Sequence, residues 1–197
     1  MEKFTEKFCV SQLAKAIANV EKERASYKAL LDNATLLDPN NPSYQQKQMI
    51  VNGKLGPNEE LEKVLVKISD MSYDSMEILK TLRQHLLIAE CKISTSNDMT
   101  TQARSSLLDE LATAMNMLAE FGEITYNYYS RYRIEIGRRL MQFPNLSVAE
   151  RALAFGDRTT ILDVRYKVRS LLNRLDIISA VWENNKAHIQ KLKDEDY

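Results

Sequence analysis

The chain has 197 residues, enough for one sizeable domain or two small helical ones. Its 27 basic and 27 acidic side chains cancel, which excludes a globally basic nucleic-acid binder or an acidic-tail protein, and 44% hydrophobic content excludes wholesale disorder. Five Gly and four Pro are too few to punctuate a many-stranded sandwich, so they predict a few long elements.

The opening residues, MEKFTEKFCVSQ, lack the apolar run of a secretory signal, and no stretch approaches the roughly 18 apolar residues of a membrane span. The two cysteines, Cys9 and Cys91, make no disulfide framework and point to a reducing compartment: the cytoplasm, or a host cytoplasm or virion if the protein is viral. Ser11 is placed to cap a first helix running to about Leu31, with Leu13, Ile17, Val20, Tyr27 and Leu30 on one face and Asp32-Asn33 as its stop. After the loop 32–41, Pro42 suits the first position of a short helix that Gly53 would close. Asn58 is the expected cap of the next helix, with Glu59, Glu60 and Glu62 in its first turns, where the helix dipole favours acids. Its apolar stripe runs from Leu61 through Leu65, Ile68, Met76, Leu79, Leu82 and Leu86 to about Ile93.

The polar stretch 94–101 is the expected boundary between an N-terminal helical region, 1–97, and a helical hairpin, 98–197. A long helix from Thr101 to about Met141 is predicted on the stripe Leu108, Leu111, Met115, Leu118, Gly122, Thr125, Tyr129, Tyr132, Ile136, ending at Phe143-Pro144-Asn145. Ser147 and Glu150 form a capping-box pair for a short helix closing at Gly156, after which Asp157 or Thr159 caps the last helix. From Ile161 the positions Ile161, Val164, Val168, Leu171, Leu175, Ile178, Trp182, Asn185, Ile189 and Leu192 alternate spacings of three and four, a heptad seam with one polar member. Asn185 either sets register or marks fraying of the seam. The fold expected is therefore all-α: a long, coiled-coil-like antiparallel helical hairpin preceded by helices. Leu162, Leu172, Ile177 and Val181 lie off the seam and widen the apolar face, predicting that a third helix or a second subunit covers them.

The charge is uneven. Residues 131–174 hold ten basic and four acidic side chains, whereas 109–123 hold four acids and no base. Within YNYYSRYRIEIGRR, Tyr129 and Tyr132 are suited to stacking on bases, and Arg131, Arg133, Arg138 and Arg139 to holding phosphates. An antiparallel hairpin brings Arg165, Lys167 and Arg169 to the same end. The plain alternatives are a solvated helix face, with half-buried Tyr and locally paired Arg, or a surface for an acidic protein. His85 and His188 stand alone, no metal-ligand set or phosphate-cradling glycine loop is visible, and no catalytic, metal or cofactor role is expected.

Three segments carry a resemblance: YYSRYRIEIGRRL, S-V-A-E-R-A-L-A, and the polar close NNKAHIQKLKD. Across residues 105–193 they resemble small helical-hairpin proteins of tailed phages, the UvsY-type recombination mediators. That resemblance implies an oligomeric, non-enzymatic protein that binds single-stranded DNA and helps load a recombinase. The alternative is a structural assembly subunit, such as a virion or connector component, without nucleic-acid contact. Either way a homo-oligomer or a protein partner is expected, and no membrane.

Overall fold

The computed structural model describes residues 2–33, 36–44, 50–51, 54–91, 98–143 and 147–190. It is all-α, and most of each long helix is laid down by the apolar spacing already visible in the sequence. Helix α1 spans Glu2–Asp32, α2 Glu59–Cys91, α3 Asp98–Asn127, α4 Ile134–Gln142 and α5 Ser147–Gln190. Between α3 and α4 a π-helical segment, Tyr128–Arg133, keeps the backbone helical without a break. A 3₁₀ turn at Pro42–Tyr44 and a two-stranded ribbon complete the described elements. In the ribbon, β1 (Ile50–Val51) pairs antiparallel with β2 (Lys54–Leu55), Ile50 opposite Leu55.

Several expectations change. Helix α1 starts at Glu2, so Ser11 lies inside it rather than at its start. The short helix expected after Pro42 is a single 3₁₀ turn followed by the ribbon. Helix α5 runs through Gly156 without interruption, merging the two helices expected there. Of the expected polar break at 94–101, residues 94–97 lie outside the described residues, and 98–101 are the first turn of α3.

The chain forms two compact units, and each draws on residues from both sides of position 97. One unit holds Met1–Lys28, Tyr73–Leu118 and Ser170–Tyr197. Its core includes Leu13, Ile17 and Val20 of α1, Leu79, Leu82 and Leu86 of α2, Leu107 and Leu111 of α3, and Leu171, Leu175, Ile178 and Trp182 of α5. Polar ties lock its helices: the Ser75 hydroxyl donates to Glu23 at 2.6 Å and lies 3.3 Å from the Tyr27 hydroxyl. Arg174 pairs with Glu110 at 3.0 Å, and Arg24 with Asp176. Asn185 is half-buried, and its amide donates to its own helix at Val181 O, 2.8 Å away, so it fixes no partner's register through that bond. The Ile189 side chain and Leu192 lie outside the described residues.

The other unit holds Ala29–Ser72 and Ala119–Arg169. Here α3, the π segment and α4 lie antiparallel to α5, because Glu120 pairs with Lys167 while Arg133 meets Asp157. Leu140, Ala149 and Leu153 form a small apolar cluster with Ile136 against it, and α4 also packs on β2.

Candidate functional site

The seam actually buried on α3 is Leu107, Leu111, Ala114, Leu118, Phe121, Ile124 and Tyr128, not the neighbouring set that began at Leu108 and ended on Tyr129, Tyr132 and Ile136. Leu111 and Leu118 belong to both. Beyond Tyr128 the next buried position is Arg133, five residues on, followed by Gly137 and Leu140. An α-helix would turn residue i+5 well away from residue i. The π segment, in which the Ile134 N–H donates to Tyr129 O, absorbs the extra residue and brings Arg133 back to the inner face.

There Arg133 anchors a buried polar junction. Its Nε donates to the Tyr128 hydroxyl at 2.7 Å, and the guanidinium carbon lies 5.5 Å from the centre of the Tyr128 ring. One terminal nitrogen donates to the Gly56 carbonyl, and the other is 3.5 Å from Asp157 Oδ2. Asn58 joins from the start of α2. Its amide donates to Asp157 Oδ2 at 2.6 Å and to Tyr44 O at 3.2 Å, while its side-chain oxygen accepts from Leu61 N–H at 3.3 Å, as the cap the sequence predicts. Tyr44 in turn donates to Leu36 O. The junction thus fastens Leu36, Tyr44, Gly56 and Asn58 to the helical run 128–133 and to α5.

Its electrostatics follow from burial. The Asp157 carboxyl is pushed above the usual aspartate range by desolvation, against the pull of Asn58, Arg133 and Tyr128. Arg133 is close but the ion-pair contact is long, and Asp157 Oδ1 has no hydrogen-bond partner among the described residues. Desolvation also raises the Tyr128 hydroxyl far above its ordinary value, with the Asp157 charge adding to it. These groups spend their hydrogen bonds on one another and on backbone carbonyls. Chemically the arrangement is a clamp.

The residues proposed for phosphate contact differ in their placement. Arg133 is buried in the junction, Arg139 pairs with Glu135 at 3.3 Å one turn away, and Lys167 pairs with Glu120. Arg131, Arg138, Arg165 and Arg169 are exposed. Tyr132 is half-buried with its ring against Gly156, where an added Cβ would come within 3.1 Å of it. Tyr129 is partly exposed and packs edge-on against Tyr128, centroids 5.2 Å apart. Of the four residues proposed for oligomer contact, Leu162 and Ile177 are exposed, while Leu172 and Val181 are half-buried. Residues the sequence reading passed over are Asp157, taken only as a possible cap, and Gly56; no local pattern marks either as a partner of Arg133.

A comparison with curated protein sequences returned no match. Among solved structures the chain is similar to the crystal structure of the 11S subunit of the Plasmodium falciparum proteasome, PA28, with a TM-score of 0.79 and 14% identity. That likeness covers 98% of this chain and 92% of the other, and at this identity it speaks for the fold. Residues 54–197 match the family described as proteasome activator PA28, C-terminal, a span that includes all of 105–193. The expectation of a phage-type recombination mediator binding single-stranded DNA is therefore wrong, and its alternative, a virion or connector scaffold, fits no better. The basic, Tyr-rich tip misled because a run of cations is read from composition as free, whereas Arg133 is buried and Lys167 is paired with Glu120. With the match spanning more than half of its length, the chain belongs to the PA28 proteasome activator family.

Proposed function

We propose that this chain is a subunit of a proteasome activator, a regulatory protein that assembles with other subunits and binds the proteasome without itself performing catalysis. The observation that carries the reading is the family match over residues 54–197, which takes in Gly56, Asn58, Tyr128, Arg133 and Asp157 of the buried junction. The fold supports it: the similar structure, the 11S subunit of the Plasmodium falciparum proteasome, aligns over nearly the whole of both chains. The chemistry of the junction agrees with a regulatory role, since its ionisable groups are turned inward and bonded to one another.

The test adds the purified protein to purified proteasome and follows cleavage of a short fluorogenic peptide. Faster peptide cleavage, saturating with added protein and absent when the proteasome is omitted, is the expected result. No co-sedimentation with the proteasome and no change in cleavage rate at micromolar protein would overturn the reading.

A further inference from the structure

We infer that the Asp157 carboxyl is a proton-operated latch: neutral, it holds the 3₁₀ turn and the start of α2 against α5 and the helical run 128–133; ionised, it loosens them. Its parts, Tyr44, Gly56, Asn58, Tyr128, Arg133 and Asp157, all lie in the compact unit of Ala29–Ser72 and Ala119–Arg169.

The site fits the neutral acid better than the carboxylate. An ionised carboxylate is an acceptor at both oxygens. The Asp157 side chain is 3% exposed, and its donors converge on Oδ2, with the Asn58 amide at 2.6 Å and Arg133 at 3.5 Å. Oδ1 has no hydrogen-bond partner among the described residues. A buried charge with one oxygen unserved is costly, and the cost is relieved either by a proton on that oxygen or by water reaching it. Arg133 keeps other acceptors in both forms, because its Nε donates to the Tyr128 hydroxyl and a terminal nitrogen to Gly56 O. Protonation at Oδ1 also leaves the Asn58 bond in place, since Oδ2 accepts from it in either form. The upward push that burial gives this carboxyl has the same direction.

The groups acting on Asp157 are Arg133 and Tyr128 from the helical run and the neutral Asn58 from α2. The acids in the first turn of α2, Glu60 and Glu62, act on Tyr44 and Tyr129 instead. On α4, Glu135 and Arg139 are exposed and bonded to each other, and on α5 the neighbouring Arg158 is exposed. Water reaches an ionised Asp157 when the junction opens. The side-chain ties that then part run from Asn58 to Asp157 and from Arg133 to Gly56 O, and Asn58 also holds Tyr44 O. Three amides report the opening: Tyr44 N–H, bonded to Asn41 O, and Leu61 and Glu62 N–H, bonded to Asn58.

Amide hydrogen exchange on the full chain, from about pH 4 to about pH 8, tests the latch, with each rate corrected for the exchange of an unfolded peptide at the same pH. In wild type the opening equilibrium at Tyr44, Leu61 and Glu62 should rise by up to about tenfold per pH unit from the ordinary aspartate range to the raised folded value, and level off above it. These amides should exchange about tenfold or more faster than those of Val164 and Val168, in the buried seam of the same unit. Asp157→Asn, which cannot titrate, should give a flat profile. Asn58→Ala removes a donor that favours the ionised form, so its rise, read at Tyr44 and Glu62, should extend to higher pH. Parallel profiles for wild type and Asp157→Asn, or protection at Tyr44 that grows with pH, would overturn the inference. So would protection at Tyr44 and Glu62 equal to that at Val164 and Val168 at every pH, which means opening only with the whole fold. Should Asp157→Asn fail to fold, the comparison of Asn58→Ala with wild type decides alone, and an unshifted rise overturns the latch. The readout involves no proteasome, so its failure leaves the activator reading intact.

Discussion

Arg133 donates to the hydroxyl of Tyr128, five residues earlier on the same helical run, at 2.7 Å. In a regular α-helix those two positions point in clearly different directions; the π turn between them sets both on the buried face. One inserted residue in the helical register thereby delivers a cation to the interior, where Asp157 and the Gly56 carbonyl meet it.

Removing that cation should be costly. Arg133→Met leaves Asp157 buried without its counter-charge, and breaking a buried pair from one side costs about 3–5 kcal/mol. The double variant R133M/D157L removes both charges and should lose clearly less than the two single losses added together. Urea unfolding of the four proteins closes the cycle. A single Arg133→Met loss under about 1 kcal/mol would mean that the junction contributes little to stability.

The pH dependence has a definite sign. Burial raises the Asp157 carboxyl in the folded state above its unfolded value, so between those two values the folded state holds more protons than the unfolded one. At this site stability is greatest below the unfolded value and declines as pH rises through the folded one. Asp157→Asn cannot titrate. The stability of wild type minus that of Asp157→Asn should therefore fall with rising pH from the ordinary aspartate range upward. A difference that rises through that window would show that Arg133 outweighs desolvation.

Asn58 does two jobs, and two substitutions separate them. Asn58→Ala loses the cap, about 1 kcal/mol, together with the amide bonds to Asp157 and Tyr44. Asn58→Asp keeps an oxygen for the cap but sets a carboxylate where the amide stood 2.6 Å from Asp157 Oδ2, and two carboxylates that close cannot both stay ionised. At neutral pH the Asp variant should melt below the Ala variant, and the gap should close on acidification. An Asp variant as stable as wild type at neutral pH would be inconsistent with the buried carboxylate at 157.

Gly156 is a matter of space. Alanine there gains about 1 kcal/mol of helix propensity, but its Cβ would lie 3.1 Å from the Tyr132 ring, which must shift by a few tenths of an ångström. The two effects should nearly cancel. Gly156→Val has no such relief and should cost about 1–3 kcal/mol by overpacking, and the cost should shrink in a Tyr132→Ala background. An equal Val penalty in both backgrounds would remove Tyr132 as the cause.

What the residues by themselves determined is what repeats locally. The heptad run from Ile161 to Trp182 is buried at every step, because a stripe on a 3.5-residue period has one face to bury whatever it is buried against. The Asn58 cap was legible for the same reason: its reach is three residues, to Leu61 N–H. The tertiary structure alone decided the rest. Gly156 reads as a helix stop by composition, yet it is mid-helix because the Tyr132 ring, 24 residues away, needs the space a side chain would take. Arg133 reads as a surface cation, yet it is inside because the buried seam before it and the seam after it are one residue out of step, and a π turn reconciles them. Charge and aromatic content are properties of single residues, but whether a charge is free to meet a ligand depends on partners far along the chain, such as Asp157 and Gly56 for Arg133. That is why the fold could be argued from spacing, and the basic tip could not be assigned a ligand from its composition.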